Sequence, residues 1–250
     1  QHTCLLPFYK RALAHPGLQF IIGATTWIRF QGKEEMPATA RSNAADSSWY
    51  DVYNTALQID ASGKVQTYHK SILVAGVEKM PFSRYFSFLE KYIINLGGTT
   101  GSLGSQKEPS NFISPNGIQT APVICYESAF GEYVTKYIKK GAGLIFVMTN
   151  DGWWKDTPGY KQHLSFARLR AIETRRAIAR SANTGISALI NQRGDIVQQT
   201  RWWTRTALKG TLKANESLTF YVRYGDYIGR ICSFMSVLLV LFYFSLKVKR

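Results

Sequence analysis

The hydrophobic positions along this chain change spacing several times, and each change predicts an element. Residues 18–28, LQFIIGATTWI, form an apolar, β-branched run interrupted by Gly23, which predicts a strand. Residues 47–60, SSWYDVYNTALQID, alternate apolar and polar positions and run into ASGKVQTYHK, which predicts a hairpin turning at Ser62-Gly63. Pro122, Val123 and Ile124 read as a buried strand with Cys125, Tyr126 and Glu127 at its end. The period then becomes helical: Phe130, Val134, Tyr137 and Ile138 share a face, and Gly141 and Gly143 close the helix. LIFVMTN, residues 144–150, is the continuous apolar run of a strand covered on both faces. A longer helix follows, with Leu164, Ala167, Ala171 and Ile178 along one stripe and Arg168, Arg170, Arg175 and Arg176 off it. GISALINQRGDIVQQT, residues 185–200, predicts a second hairpin with Arg193-Gly194-Asp195 in or near its turn. Strands alternating with helices, plus hairpins, predict an α/β layered fold.

The C-terminal pattern is of another kind. Ile231 to Leu246, ICSFMSVLLVLFYFSL, carries no charge, and with Tyr227, Ile228 and Gly229 it approaches the roughly 20 residues that cross a bilayer. Flanking aromatics and the closing Lys247, Lys249 and Arg250 favour a transmembrane helix over a buried one. The positive-inside rule places those charges in the cytoplasm and the preceding domain on the opposite side. A boundary is therefore expected near Gly225, dividing a domain over 1–224 from a membrane helix with a basic tail over 225–250. Within the domain, PFSRYFSFLEKYIINLGG (81–98) puts Phe82, Tyr85, Phe86, Leu89 and Ile93 on one helical face. Such a helix either packs on the domain or lies in a membrane interface.

Composition narrows the choices. The 250 residues are 45% hydrophobic, as expected of a core-forming domain, and 31 Lys+Arg against 16 Asp+Glu give a net charge of +15. That excess calls for an anionic partner such as lipid headgroups. No nucleic-acid motif accompanies it, and the basic residues are scattered, so no nucleic-acid partner is expected. Cys4, Cys125 and Cys232 form no disulfide framework, and the four histidines show no ligand spacing, so neither a metal nor another cofactor is expected.

Two strand ends carry candidate chemistry. One bears Cys125; the other is TYHKSILVAGVEKMPF, where Lys70 closes a strand and Glu78 follows in a loop. A thiol must lose its proton to become a good nucleophile, and a nearby ammonium stabilises both the thiolate and an oxyanion formed from a carbonyl. A carboxylate must then move the proton between thiol and leaving group. Cys, Lys and Glu meeting from separate strand ends would make an acyl-transfer site. Spacing alone leaves open a structural cysteine and a solvated Lys–Glu pair.

KSILVAGVEKMPF, PVICYES, NDGWW and QHLSFARLRAIETRRAIARSANTGISALI, in that order, closely resemble the nitrilase-like domain of bacterial apolipoprotein N-acyltransferases. The resemblance runs from about Leu18 to the C-terminal helix, and Cys-Tyr-Glu followed about 25 residues on by Asn-Asp-x-Trp is its most specific feature. It implies a nitrilase-like α-β-β-α sandwich followed by one C-terminal transmembrane helix. In the full-length protein this domain would sit on the periplasmic side of the inner membrane, carried by several membrane helices. The implied reaction passes an acyl chain from a phospholipid to the enzyme cysteine as a thioester. The chain then moves to the N-terminal amine of a diacylglyceryl-modified lipoprotein.

Carried over by position, Cys125 matches the nucleophile, Lys70 the catalytic lysine and Glu78 a second glutamate that assists it. Tyr126 and Glu127 match the pair after the nucleophile, and with Asn150 and Trp153 they are expected to contact substrate. Two positions depart from the pattern. The family's glutamate base lies in a Pro-Glu strand that no segment here matches, so the chain is expected to be a C-terminal fragment, inactive alone. Ala75 stands where relatives often have Pro. The alternatives are a nitrilase-type amidase and a noncatalytic, membrane-tethered remnant.

Overall fold

The computed structural model describes residues 3–30, 36–43, 48–79 and 102–248; the helix expected over 81–98 lies outside them. Helix α1 (Leu6–Ala14) precedes a sheet of β1 (Phe20–Phe30), β2 (Arg41–Ser42), β3 (Trp49–Ile59) and β4 (Val65–His69), all antiparallel, with β3 pairing each of the others. β1 and β3 pair without a break, from Phe20 opposite Ile59 to Phe30 opposite Trp49. Gly23 does not interrupt β1: it faces the second sheet, where a Cβ on it would lie 3.5 Å from Met148 Cβ. The β3–β4 hairpin turns where expected, with Gly63 at φ +78°, a conformation that favours glycine.

The second sheet has six strands in the order β10-β9-β8-β7-β6-β5: β5 (Phe112–Ile113), β6 (Gln119–Ile124), β7 (Leu144–Thr149), β8 (Ala177–Ala182), β9 (Ala188–Ile190) and β10 (Ile196–Gln199). β6, β7 and β8 run parallel, so each needs a crossover, supplied by α2 (Gly131–Lys139) and α3 (Pro158–Thr174). The main core joins Ala56 and Tyr68 of the first sheet to Val123, Ile145 and Val147 of the second, and to Val134, Tyr137, Leu164 and Ala171 of the two helices. On the far face of the first sheet, Leu5, Phe8 and Tyr9 at α1 cover Phe20, Ile22, Leu57 and Ile59. The layers are thus helix, sheet, sheet, helix, as expected.

One element ends earlier than its apolar stripe predicted. α3 stops at Thr174, because Arg175 turns left-handed (φ 51°, ψ 40°), and Ile178 is a core residue of β8. Arg176 lies just past the break. It is buried, and its guanidinium donates to the carbonyls of Ala142 (2.7 Å), Ser217 (2.8 Å) and Thr174 (3.0 Å), which a continuing helix could not arrange. Arg170 is buried too, donating to Ala129 O at 3.0 Å and to Glu173 Oε1 at 2.8 Å.

After α4 (Phe220–Tyr224) comes α5 (Tyr227–Val248). Over Tyr227–Lys247 its mean hydropathy is 1.8 and none of it is buried, so it is long and apolar enough to cross a membrane. Glu132 on α2 anchors its start, accepting from Asp226 N at 2.8 Å and from Arg230 Nη2 at 2.5 Å.

Candidate active site

The carboxyl ends of three parallel strands open onto one cavity, the place where open α/β sheets present ligand-binding groups. The cavity, of about 840 Å³, lies between the sheets. Its walls include Ile22, Gly23 and Ala24 of β1, Asn54 and Thr55 of β3, and Val74, Val77 and Glu78 of the loop after β4. The second sheet contributes Ile124, Cys125, Met148, Asn150 and Trp153. The lining mixes apolar and polar side chains, with Glu78 its carboxylate among the described residues.

Cys125 follows the last residue of β6 and opens a 3-10 turn, Cys125–Ala129. Its φ is 51°, in the left-handed region, which costs a non-glycine residue about 1–3 kcal/mol and persists only where the surroundings enforce it. A thiol on such a turn projects from the strand end instead of packing beside it. Cys125 is accordingly half-buried on the cavity wall and not in the core.

Lys70 leaves β4 fully buried, and its Nζ lies 2.7 Å from each oxygen of Glu78. Glu78 also accepts from Asn54 Nδ2 at 2.6 Å and from Val74 N at 2.7 Å. The pair expected from sequence therefore forms, at the wall that Glu78 shares with Cys125. Glu78 is held by three neighbours, which suits it to fix Lys70.

Glu127 is placed otherwise than expected. It has no exposed surface and is not among the residues that line the cavity. One oxygen accepts from Tyr68 Oη at 2.7 Å, Ser71 N at 2.8 Å and Ile72 N at 3.2 Å, and the other from Ile124 N at 2.8 Å. It thereby ties the Lys70 loop of one sheet to the Cys125 turn of the other. Burial raises its carboxyl above the usual range, although those donors work against the rise. Tyr126 packs its ring among Phe130 (5.8 Å), His163 (6.2 Å) and Phe166 (6.4 Å), away from the cavity walls. Asn150 and Trp153 do line the cavity; Asn150 Oδ1 accepts from Thr184 Oγ1 at 2.5 Å, and Trp153 is 42% exposed.

Three residues at the site carried no expectation. Asp151, His163 and Arg180 are buried against one another behind Cys125: Arg180 Nη2 donates to Asp151 Oδ2 at 2.5 Å, and His163 Nδ1 lies 2.8 Å from Asp151 Oδ1. His163 Nε2 is 3.1 Å from the Cys125 carbonyl oxygen. Gly185 makes room, since a Cβ there would collide with Asp151. Burial would raise Asp151, but the His163 bond and the Arg180 charge outweigh it and hold the carboxyl below its usual range. Among the described residues no group of His, Cys, Asp and Glu is arranged to hold a metal.

Residues 32–217 match the carbon-nitrogen hydrolase family. The chain belongs to that family. Among curated relatives, it is 35% identical over 202 residues to the apolipoprotein N-acyltransferase of Chlorobaculum tepidum, an alignment covering 78% of this chain and 38% of that protein. It is 33% identical over 196 residues to the apolipoprotein N-acyltransferase of Thermotoga maritima, covering 76% of this chain and 37% of that protein. The chain spans well under half the length of these relatives. A solved amidase from Nesterenkonia sp. superposes with a TM-score of 0.49 at 18% identity, covering 78% of this chain and 61% of that one.

Proposed function

We propose that this carbon-nitrogen hydrolase domain belongs to an apolipoprotein N-acyltransferase. It would move an acyl chain from a phospholipid, through a thioester on Cys125, to the N-terminal amine of a diacylglyceryl-modified lipoprotein. The observation that supports it most is the cavity: Cys125 and Glu78, the partner of Lys70, line one space of about 840 Å³ in a chain that continues into an exposed apolar helix. A small amide has no need of either feature; an acyl chain suits both.

In the first half-reaction the Cys125 thiolate attacks the ester carbonyl of the phospholipid. The tetrahedral oxyanion collapses with loss of the lysophospholipid alkoxide, which takes up a proton, and the acyl group remains on sulfur. The lipoprotein amine then attacks the thioester carbonyl, loses a proton, and displaces the thiolate as the amide forms. The Lys70 ammonium, steadied by Glu78, would stabilise the negative charge on sulfur and oxygen in both halves. The thiol proton needs another acceptor, because both Glu78 oxygens are already engaged with Lys70, Asn54 and Val74. In this reading α5 holds the domain at the membrane, with Lys247 on the cytoplasmic side and the cavity on the periplasmic side.

The test is a product assay on the full-length protein in detergent. With phospholipid and a diacylglyceryl-cysteine peptide, the peptide should gain one acyl chain and one lysophospholipid should appear per peptide. Release of ammonia from small amides, with no acylated peptide, would make the protein an amidase instead.

A further inference from the structure

Behind Cys125 lie three buried ionisable side chains that the acyl-transfer reading does not use: Asp151 just after β7, His163 in α3 and Arg180 in β8, none more than 3% exposed. Their hydrogens can be counted. A carboxylate only accepts and a guanidinium only donates. Asp151 bonds Arg180 Nη2 at 2.5 Å and Thr149 Oγ1 at 2.9 Å, both donors, so it has no proton to offer. His163 Nδ1, 2.8 Å from Asp151 Oδ1, must donate there. Arg180 Nη2, 3.3 Å from the same nitrogen, then meets an N–H and directs its own hydrogen to Asp151.

The other ring nitrogen faces acceptors as well. His163 Nε2 is 3.1 Å from the Cys125 carbonyl oxygen and 3.2 Å from Ser128 Oγ. The Ser128 hydroxyl can donate to that same carbonyl, at 2.9 Å, or to Nε2. A bare Nε2 would turn its lone pair toward the carbonyl oxygen, which can only accept, whereas a hydrogen on it satisfies that contact. Tyr126 supplies only its ring, 6.2 Å away, on the remaining contact. Both nitrogens therefore carry hydrogen.

We propose that Asp151 holds His163 as an imidazolium, and that this imidazolium is a positioning residue for Cys125, fixing the nucleophile's backbone through its Nε2–H bond to the Cys125 carbonyl. That carbonyl belongs to the residue held at φ 51°, so the bond opposes relaxation of the strained turn. The charges add a second effect. One carboxylate between two cations leaves a single positive charge enclosed behind the thiol. Arg180 Nη1 is buried with no hydrogen-bond partner among the described residues. The role as positioning residue rests on Cys125 being the nucleophile; the imidazolium does not.

Two measurements on the full-length protein in detergent test this. With 15N-labelled histidine, one histidine signal should show both ring nitrogens protonated at neutral pH, and that signal should vanish in His163→Gln. A neutral His163 in the wild-type spectrum overturns the proposal without any variant having to fold. The second is labelling of the Cys125 peptide by iodoacetamide, followed by mass spectrometry with the Cys4 and Cys232 peptides as internal references. His163→Asn keeps a donor toward Asp151 but loses the one toward Cys125, and its labelling should slow about tenfold. His163→Gln keeps a donor toward the Cys125 carbonyl and should retain most of the wild-type rate. Equal rates in the two variants overturn the positioning role. If acyl groups map to another cysteine, the acyl-transfer reading fails while the spectrum still decides the state of His163.

Discussion

Glu127 and Asp151 are both buried carboxylates bracing Cys125, yet their surroundings push them in opposite directions. Glu127 meets only uncharged donors, the Tyr68 hydroxyl and three backbone amides, and burial raises its carboxyl. Burial acts on Asp151 in the same sense, but the bond from His163 and the charge of Arg180 outweigh it, and the carboxyl is lowered. Burial of both thus goes with opposite shifts, and the partner's charge decides the sign. The two supports differ in reach as well. Glu127 joins the two sheets, while Asp151 binds together three elements of one sheet and its helix layer.

The largest effect should come from removing the charged support. Asp151→Ala leaves the Arg180 and His163 side chains facing each other without a counterion, a defect worth about 3–5 kcal/mol when a buried pair loses one partner. Chemical denaturation of the full-length protein should show that loss. A cost under about 1 kcal/mol would mean the pair is not held as described.

Glu127→Gln should cost less. Its carbonyl oxygen can keep the Tyr68, Ser71 and Ile72 donors, but its NH₂ then faces the Ile124 N–H, an unsatisfied contact worth about 1–3 kcal/mol. If Glu127→Gln destabilises more than Asp151→Ala, the ranking of the two supports is reversed.

The smallest effect is the most specific, because it differs in sign. For Asp151, whose folded carboxyl is lowered, stability is present above the ordinary carboxylate range and is lost as pH falls through the folded value. For Glu127, whose folded carboxyl is raised, stability is present below that range and is lost as pH rises through the folded value. Unfolding free energy measured against pH should therefore lose part of its acid slope in Asp151→Asn. In Glu127→Gln it should lose part of the decline just above the carboxylate range. Parallel shifts of the whole curve in both variants would contradict the opposite signs.

The same two residues show what the sequence could and could not reveal. The strands at 20–30, 49–59, 119–124 and 144–149, both hairpins and the C-terminal helix were legible because each is a local pattern of apolar positions or turn residues. β8 was not, since Arg176 and Arg180 punctuate it with charges that only tertiary partners satisfy, and its Ile178 fits the stripe of the preceding helix. Cys125, Lys70 and Glu78 were legible as candidates from their motif, and the structure brings Cys125 and Glu78 to one cavity wall. Glu127 was read as a substrate contact because exposure is not written in a motif. Asp151, His163 and Arg180 come from three elements and show no shared spacing. The motifs NDGWW and QHLSFARLRAIETRRAIARSANTGISALI contain all three, but only folding reveals that they meet.

The central claim, that Cys125 carries the acyl chain, can be tested by trapping the first half-reaction. The full-length protein is incubated with phospholipid and no lipoprotein acceptor, quenched in acid and digested, and its peptides are weighed. The account predicts a hydroxylamine-sensitive fatty acyl thioester on the peptide containing Cys125, absent in Cys125→Ser and discharged when a diacylglyceryl-cysteine peptide is added. Acyl on the Cys4 or Cys232 peptide with Cys125 unmodified would contradict it.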